Sequence, residues 1–282
     1  MPVTLPPHKT GTVKSQDVEI FYRAFGKPGK TPVVILHGLS YFSYDWIDIA
    51  DALADNREVV AIDMRGFGNS SWSPSKSYKV QNFSADILAV MDKFGWKQAV
   101  LIGHSMGGRN CTYTASAHPD RVAKLVLVDF SPTNAKAGSQ RVTNTIVDMK
   151  LPFKSLDEAM SYFKVDPKNA TDKQRARFEA YLMPHEGGLI PRRDLFFKEN
   201  FRRIRDEGMK PDHGADLWEC LGKVQCPTLV LRGRSSDMFA PETVDKVRST
   251  NKNITLVEVD GGHNIPGENP EGLKQAVKKF LD

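Results

Sequence analysis

The sequence predicts an α/β fold in which a mostly parallel, doubly wound sheet carries a helical cap. Short, nearly uninterrupted apolar runs recur along the chain, as expected of strands buried on both faces of a sheet. Segments with helical periodicity alternate with these runs, which favours parallel strands joined by helices. The alternation breaks where several helix-like segments follow one another, and it resumes at Cys226. We therefore assign residues 1–132 and 224–282 to the core and residues 133–223 to a helical cap, inserted after the strand ending near Phe130.

The strands and helices of the core can be assigned in chain order. Near the N-terminal end, residues 18–26 are expected to form a strand, with 10–15 as its candidate pairing partner. The six buried strands are expected at 31–38, at 58–70 running into a glycine turn, and at 99–105, 124–130, 227–233 and 254–260. Helices are expected at 46–55, at 84–95 with Ser84 as N-cap, and, in the cap, at 173–183 and 195–208.

Composition excludes several classes of protein. Of the 282 residues, 40% are apolar and 26% charged, which is typical of a globular chain. Three cysteines form no disulfide framework, and neither a signal peptide nor an apolar run of roughly 20 residues is present. We therefore expect a soluble, cytoplasmic protein without a membrane partner.

The positive net charge is concentrated in one segment. The chain carries a formal charge of +5, and residues 133–215 hold sixteen Lys/Arg against twelve Asp/Glu, or 16 − 12 = +4. No basic run with interleaved aromatics accompanies this excess, so we expect no nucleic-acid partner. The basic cap instead raises the hypothesis that the substrate carries a carboxylate, with an ordinary solvated charged face as the alternative.

The stretch "GHSMGG" places Ser105 in a Gly-x-Ser-x-Gly frame directly after a buried strand. A serine hydroxyl becomes nucleophilic when a strand-to-helix turn exposes it beside a base, and such a turn needs small residues two positions to either side. Gly103 and Gly107 meet that need. A helix starting at Met106 would direct its N-terminal N–H groups at a developing oxyanion.

The turn "LHGLS" after the first inner strand is the expected source of a second oxyanion donor. We predict that the backbone N–H groups of Leu39 and Met106 form this pair, while His37 and Gly38 shape the turn. Ser40 follows directly and is a candidate substrate contact.

A base and an acid are expected after the last two strands. His263 lies in the glycine-rich turn after the last strand, and Asp237 follows the preceding one in "RGRSSD". The resulting order Ser105, Asp237, His263 is that of an α/β hydrolase. Asp129, at the end of an inner strand, is an alternative acid, and its other interpretation is a turn residue that caps backbone N–H groups. We favour Asp237.

Other residues near these positions have either a functional or a structural interpretation. Tyr41, Phe130 and Trp218 are candidate pocket-lining residues, although aromatic residues at such places also serve as plain core. Arg109, one helical turn after Ser105, either binds a substrate carboxylate or braces the core against Asp129, and we favour the brace. Further polar residues are assigned structural roles only: His104, Asp63 and Arg65 in packing and turns, and His185 and His213 on the cap surface.

Taken together, the motifs "VILHG", "DMRGFGNS", "GHSMGG", "PTLVLRGRSSD" and "GGHNIPGENPEGL" resemble the α/β-hydrolase superfamily over the whole chain. "GHSMGGRN" and "VDFSP" are similar to small, capped, cofactor-independent hydrolases of aromatic and heterocycle catabolism. The resemblance implies a serine hydrolase. Relatives with an aspartate nucleophile, the epoxide hydrolases and haloalkane dehalogenases, are excluded by Ser105.

The activity expected from these residues is hydrolysis of a small carboxylic ester or lactone through an acyl-enzyme, without metal or organic cofactor. Amide and carbon–carbon bond hydrolysis are alternatives. A small-molecule receptor with a vestigial triad is an alternative of a different class. We expect a monomer or homodimer.

Overall fold

A large central sheet organises the molecule, whose computed structural model describes residues 3–282. These residues form ten strands: β1 (Lys9–Ser15), β2 (Val18–Phe25), β3 (Val33–Leu36), β4 (Val59–Ile62), β5 (Ala99–His104), β6 (Val122–Val128), β7 (Leu182–His185), β8 (Gly188–Pro191), β9 (Thr228–Gly233) and β10 (Ile254–Val259). Eight of them lie side by side in the order β1-β2-β4-β3-β5-β6-β9-β10. Within this order the six strands β4, β3, β5, β6, β9 and β10 pair in parallel, whereas β2 is antiparallel to both its neighbours.

Helices connect the strands and cover both faces of this sheet. The same residues contain α1 (Ile47–Leu53), α2 (Val80–Lys93), α3 (Met106–Ala117), α4 (Lys136–Val147), α5 (Leu156–Tyr162), α6 (Asp172–Tyr181), α7 (Leu195–Asp206), α8 (Leu217–Lys223), α9 (Val244–Thr250), α10 (Ile265–Glu268) and α11 (Pro270–Leu281). Within residues 3–282, no helix combines the length and the apolar composition needed to cross a membrane.

The inner strands are apolar because both of their faces are buried. Val34 and Leu36 of β3 pack into the cluster that includes residues of α2, α3 and α8. Val33 and Ile35 of the same strand pack into the opposite cluster, with residues of α1 and α11. Alternate side chains of a strand point to opposite faces, so a strand between two helical layers has no polar position. The predicted mostly parallel, doubly wound sheet is confirmed.

Helix α2 begins four residues earlier than predicted. It starts at Val80, so Ser84 lies buried inside the helix and is not its N-cap. The start is held by two other groups: the Val80 N–H donates to the His213 carbonyl (3.0 Å), and the Lys79 N–H donates to the Asn82 side chain (3.3 Å). One of the two bonds therefore ties the start of α2 to a segment far away in the sequence.

Residues 133–223, which we call the inserted segment, lie between the neighbouring strands β6 and β9. They form helices α4–α8 and the antiparallel hairpin β7–β8, which the sequence analysis did not predict. Contacts reach from this segment to the loops after three parallel strands. Arg177 forms an ion pair with Asp45 in the loop after β3, and Arg193 forms an isolated β-bridge with Phe67 in the loop after β4. In the loop after β9, the Asp237 carbonyl accepts from the Gly138 N–H. The segment therefore lies against the C-terminal edge of the sheet, where ligands of such folds bind.

Candidate active site

Ser105 occupies a strained turn between β5 and α3. Its backbone has φ +51° and ψ −113°, a conformation that residues other than glycine rarely adopt. The turn fits only because its flanks lack side chains. A Cβ on Gly103 would lie 2.4 Å from the Gly107 carbonyl oxygen, and one on Gly107 would lie 2.4 Å from that of Leu36. The glycines of "GHSMGG" are thus required by space, as the sequence predicted.

A chain of two hydrogen bonds links Ser105 to a carboxylate. Ser105 Oγ lies 3.0 Å from His263 Nε2, and His263 Nδ1 lies 2.7 Å from Asp129 Oδ2. Two further donors hold the buried carboxylate, the Gly233 N–H on Oδ1 (2.8 Å) and the Ser236 hydroxyl on Oδ2 (2.5 Å). Because Asp129 can only accept, His263 Nδ1 carries the hydrogen and Nε2 is free to accept from Ser105.

The preference for Asp237 as the partner of His263 is wrong in this geometry. Asp237 is 38% exposed and forms a bidentate pair with Arg141 of α4, at 2.5 and 2.8 Å. The hydrogen bonds from Arg141 lower the pKa of the Asp237 carboxyl. In the loop after β9 it is Ser236, one residue earlier, that turns inward and reaches Asp129. The alternative acid of the sequence analysis therefore occupies the position beside the histidine.

The brace predicted between Arg109 and Asp129 is absent. Arg109 instead donates to the side chains of Asn110 (3.2 Å) and His213 (3.0 Å), and both acceptors are neutral. His213 is accordingly not a surface residue of the inserted segment but a half-buried neighbour of α3. Burial, followed by the charge of Arg109, lowers the pKa of His213 to about 4.

Two backbone N–H groups at the predicted oxyanion positions are unused by the protein. Met106 is the first residue of α3, where an N–H has no partner within the helix. Neither it nor the Leu39 N–H donates to any acceptor in the described range 3–282. His37, fully buried, shapes the turn before Leu39: it accepts from the Met64 N–H (2.9 Å) and donates to the Gly38 carbonyl (2.7 Å).

His104 contacts His263 directly, which the sequence analysis missed when it assigned this residue to packing. Its Nε2 lies 2.8 Å from the His263 carbonyl oxygen, and the two rings are 4.9 Å apart. Burial lowers the pKa of His104 to about 3, so the ring is neutral and donates from Nε2. The signal was its position: the residue before Ser105 points to the opposite face of β5, where the turn carrying His263 lies.

The four predicted substrate contacts lie in different surroundings. Tyr41 stands edge-on to the His104 ring at 5.4 Å, and the carbonyl of Ser40 accepts from Arg177 (3.5 Å). Phe130 is 6% exposed and packs where a side chain on Gly108 would otherwise stand. Trp218 lies at the junction of inserted segment and core, where its indole N–H donates to Thr133 Oγ1 (2.8 Å) and Lys246 Nζ sits 3.8 Å above the ring. Their contact with substrate stays a prediction.

Known proteins share both sequence and fold with this chain. A profile of the α/β hydrolase fold matches residues 31–270. 2-(Acetamidomethylene)succinate hydrolase of Mesorhizobium japonicum is 26% identical over 258 residues, which cover 90% of this chain and 89% of that protein. 3-Hydroxybutyrate-oligomer hydrolase of Cupriavidus necator is 28% identical over 253 residues, 86% of each chain.

The solved structure of E-2-(acetamidomethylene)succinate hydrolase has the same fold, with a TM-score of 0.83 at 24% identity. The superposition of the two structures covers 98% of this chain and 100% of that protein's chain. The resemblance drawn from the motifs is therefore confirmed over most of the chain's length. The chain belongs to the α/β-hydrolase fold family.

Proposed function

We propose that this hydrolase cleaves a small carboxylic ester or lactone through an acyl-enzyme on Ser105, with His263 as base and Asp129 as acid. The observation that carries the proposal is the pair of hydrogen bonds from Ser105 to His263 (3.0 Å) and from His263 to Asp129 (2.7 Å). A serine, a base and a group that orients the base are the minimum that nucleophilic acyl transfer requires.

Acylation follows from the direction of these bonds. Ser105 Oγ attacks the acyl carbon while His263 Nε2 takes its proton, and the carbonyl oxygen becomes an oxyanion. Asp129 stabilises the imidazolium without taking the proton itself. The free N–H groups of Leu39 and Met106 would hold the oxyanion, and loss of one such donor typically lowers the rate by about 10²–10³. His263 then protonates the leaving oxygen as the acyl–oxygen bond breaks.

Deacylation reverses the roles. His263 removes a proton from water, the hydroxide attacks the acyl carbon, and Ser105 recovers its proton as the acid product leaves. We propose that the inserted segment acts as the cap over this site, because its contacts lie along the loops after β3, β4 and β9. The chemistry derived from these residues uses no metal or organic cofactor.

An amide is the second candidate substrate, because the relative from Mesorhizobium japonicum is named for an acetamidomethylene compound. Carbon–carbon bond cleavage remains the further alternative raised by the sequence. Parallel assays with p-nitrophenyl butyrate and butyryl p-nitroanilide compare the same acyl group on an oxygen and a nitrogen leaving group. We expect a higher kcat/KM for the ester, and a higher value for the anilide would assign the protein to amides.

The experiment that tests the proposal is a burst assay with p-nitrophenyl butyrate. We expect the wild type to release one equivalent of p-nitrophenol per protein rapidly and then turn over steadily, whereas Ser105→Ala shows neither phase. Undiminished turnover by Ser105→Ala would refute the proposal. A protein that hydrolyses no acyl substrate but gains melting temperature with a small ligand would be a receptor. Cytoplasmic location, the absence of a nucleic-acid partner, and monomer or homodimer stay predictions of the sequence.

A further inference from the structure

Arg109 lies one helical turn after the proposed nucleophile. Its backbone N–H donates to the Ser105 carbonyl (3.0 Å), so the two residues are one turn apart on α3. Residues four positions apart share a helix face, and side chains on a helix lean towards its N-terminus. We therefore expect the Arg109 side chain to lean over the first turn of α3, towards Ser105.

The groups that contact this guanidinium are uncharged. Its Nε donates to Asn110 Oδ1 and its Nη1 to His213 Nδ1, while the Phe83 ring lies 6.0 Å from the guanidinium carbon. No carboxylate in the described range 3–282 lies within ion-pair distance of it. Burial lowers the pKa of Arg109 to about 10, which leaves the group charged at neutral pH.

Most other buried arginines within residues 3–282 are paired with carboxylates, with Arg193 as the exception. Arg65 forms a bidentate pair with Asp86 (2.7 Å for both bonds), and Arg177 pairs with Asp45 (2.5 Å). Pairing is the usual answer to the free-energy cost of removing a charge from water. Arg109 departs from this pattern beside the proposed active site, which leaves it available to an anion brought by a ligand.

His213 orients Arg109 without neutralising it. The segment holding His213 is fixed to the start of α2, because the Val80 N–H donates to the His213 carbonyl (3.0 Å). With its pKa at about 4, the imidazole is neutral and accepts from Nη1. Nη2 of Arg109 has no acceptor within residues 3–282, and the side chain is only half-buried. One edge of the guanidinium therefore faces away from its protein partners.

We propose that Arg109 binds a carboxylate carried by the substrate whose acyl group Ser105 attacks. This inference rests on the proposed function of Ser105. Arginine suits the task because its planar fork donates two parallel hydrogen bonds to a carboxylate. The substrate class is thereby narrowed to esters or related acyl compounds that bear a second, ionised acid group.

In this proposal a single residue, Arg109, recognises the anion, and the net positive charge of the inserted segment is not required. Most arginines of that segment already have a carboxylate partner: Arg141, Arg175, Arg177, Arg202, Arg203 and Arg205. Arg193 has none within the described residues, and its Nη1 is buried without a hydrogen bond. It therefore serves as the rival position in the test.

The test uses two matched pairs of esters, corrected for spontaneous hydrolysis. One pair places the charge on the acyl side: mono-p-nitrophenyl adipate against the p-nitrophenyl ester of the methyl ketone of equal length. The other places it on the leaving group: para-acetoxybenzoate against para-acetoxybenzamide. The readout is the ratio of kcat/KM for the anionic member to kcat/KM for the neutral member.

We expect a ratio above one in at least one pair for the wild type, and a fall of about 10- to 100-fold in Arg109→Gln. Arg109→Lys should retain part of the preference, since lysine keeps the charge but loses the fork. Arg175→Gln removes an exposed charge of the same sign and should leave the ratio unchanged. Melting temperatures identify any variant that fails to fold, and Arg109→Lys then carries the comparison.

Three outcomes would overturn the proposal. They are a wild-type ratio at or below one in both pairs, equal ratios in Arg109→Gln and Arg175→Gln, or loss of the preference in Arg193→Gln and not in Arg109→Gln. Failure of the proposed function is seen separately. If Ser105→Ala still hydrolyses the neutral esters at the wild-type rate, the role of Ser105 is wrong, whatever the ratios are.

Discussion

Replacing Asp129 by asparagine tests the assignment of the acid most directly. The Gly233 N–H requires an acceptor at the Oδ1 position, so the new amide nitrogen must face His263. There it donates to Nδ1, which leaves the hydrogen of the ring on Nε2, pointing at Ser105. A base in that tautomer cannot take the serine proton. We expect kcat to fall by about 10³–10⁴, equivalent to about 4–5.5 kcal/mol in the activation free energy.

Asp237→Asn is the matched control on the other candidate. It loses the charge of a pair in which Arg141 is 51% and Asp237 is 38% exposed. Exposed ion pairs contribute about 0–1 kcal/mol, and screening reduces this further. We expect kcat for p-nitrophenyl butyrate within about threefold of the wild type. If Asp129→Asn retained a tenth of the wild-type kcat while Asp237→Asn lost a thousandfold, the geometric reasoning would be refuted.

Three further predictions follow from contacts around the site. His104→Phe keeps the ring but loses the donor to the His263 carbonyl, so kcat should fall about tenfold with KM little changed, whereas His104→Gln should retain more activity; equal kcat values for the two variants would contradict this. Because the folded-state pKa values of His104 (about 3) and His213 (about 4) lie below 6.5, the unfolded chain binds protons first as pH falls below 6.5. The free energy of unfolding, measured in urea, should therefore drop by up to about 1.4 kcal/mol per pH unit for each histidine between about pH 6 and 4, and a flat profile would argue against buried neutral rings. Gly107→Ala places a Cβ 2.4 Å from a strand carbonyl and should cost about 1–3 kcal/mol, whereas Gly222→Ala, with 3.8 Å to its nearest neighbour, should not destabilise.

The core strands could be predicted because burial on both faces leaves a continuous apolar signature. "TPVVILHG" and "AVLIGHS" each contain an inner strand, β3 or β5, with all its residues buried. The hairpin β7–β8 has no such signature. Its strands have four residues each and contain prolines, and neither is buried along its whole length or shows an every-second-residue burial pattern. The sequence does show a glycine pair at the turn, Gly187 and Gly188, and both residues adopt positive φ in the structure.

Chain order was enough to predict that Ser105 and His263 lie together, but it could not choose the carboxylate beside the histidine. Asp129 and Asp237 both follow strands that end at the same edge of the sheet, so each reaches the histidine in principle. The choice depends on backbone angles: Asp129 adopts φ +46°, a left-handed conformation that a sequence does not reveal for a residue other than glycine. The contact between Arg109 and His213 depends likewise on how the inserted segment folds back onto α3.

The backbone angles that hold the proposed catalytic residues in place also lower the stability of the protein. Ser105 and Asp129 both hold positive φ, and a residue kept in a sparsely populated region costs about 1–3 kcal/mol. Glycine adopts such angles without that penalty. A protein with Ser105→Gly should therefore melt higher than the wild type while being inactive. Selection of variants for thermal stability alone would therefore favour loss of the proposed nucleophile, so we expect stabilised variants to need a screen for turnover as well.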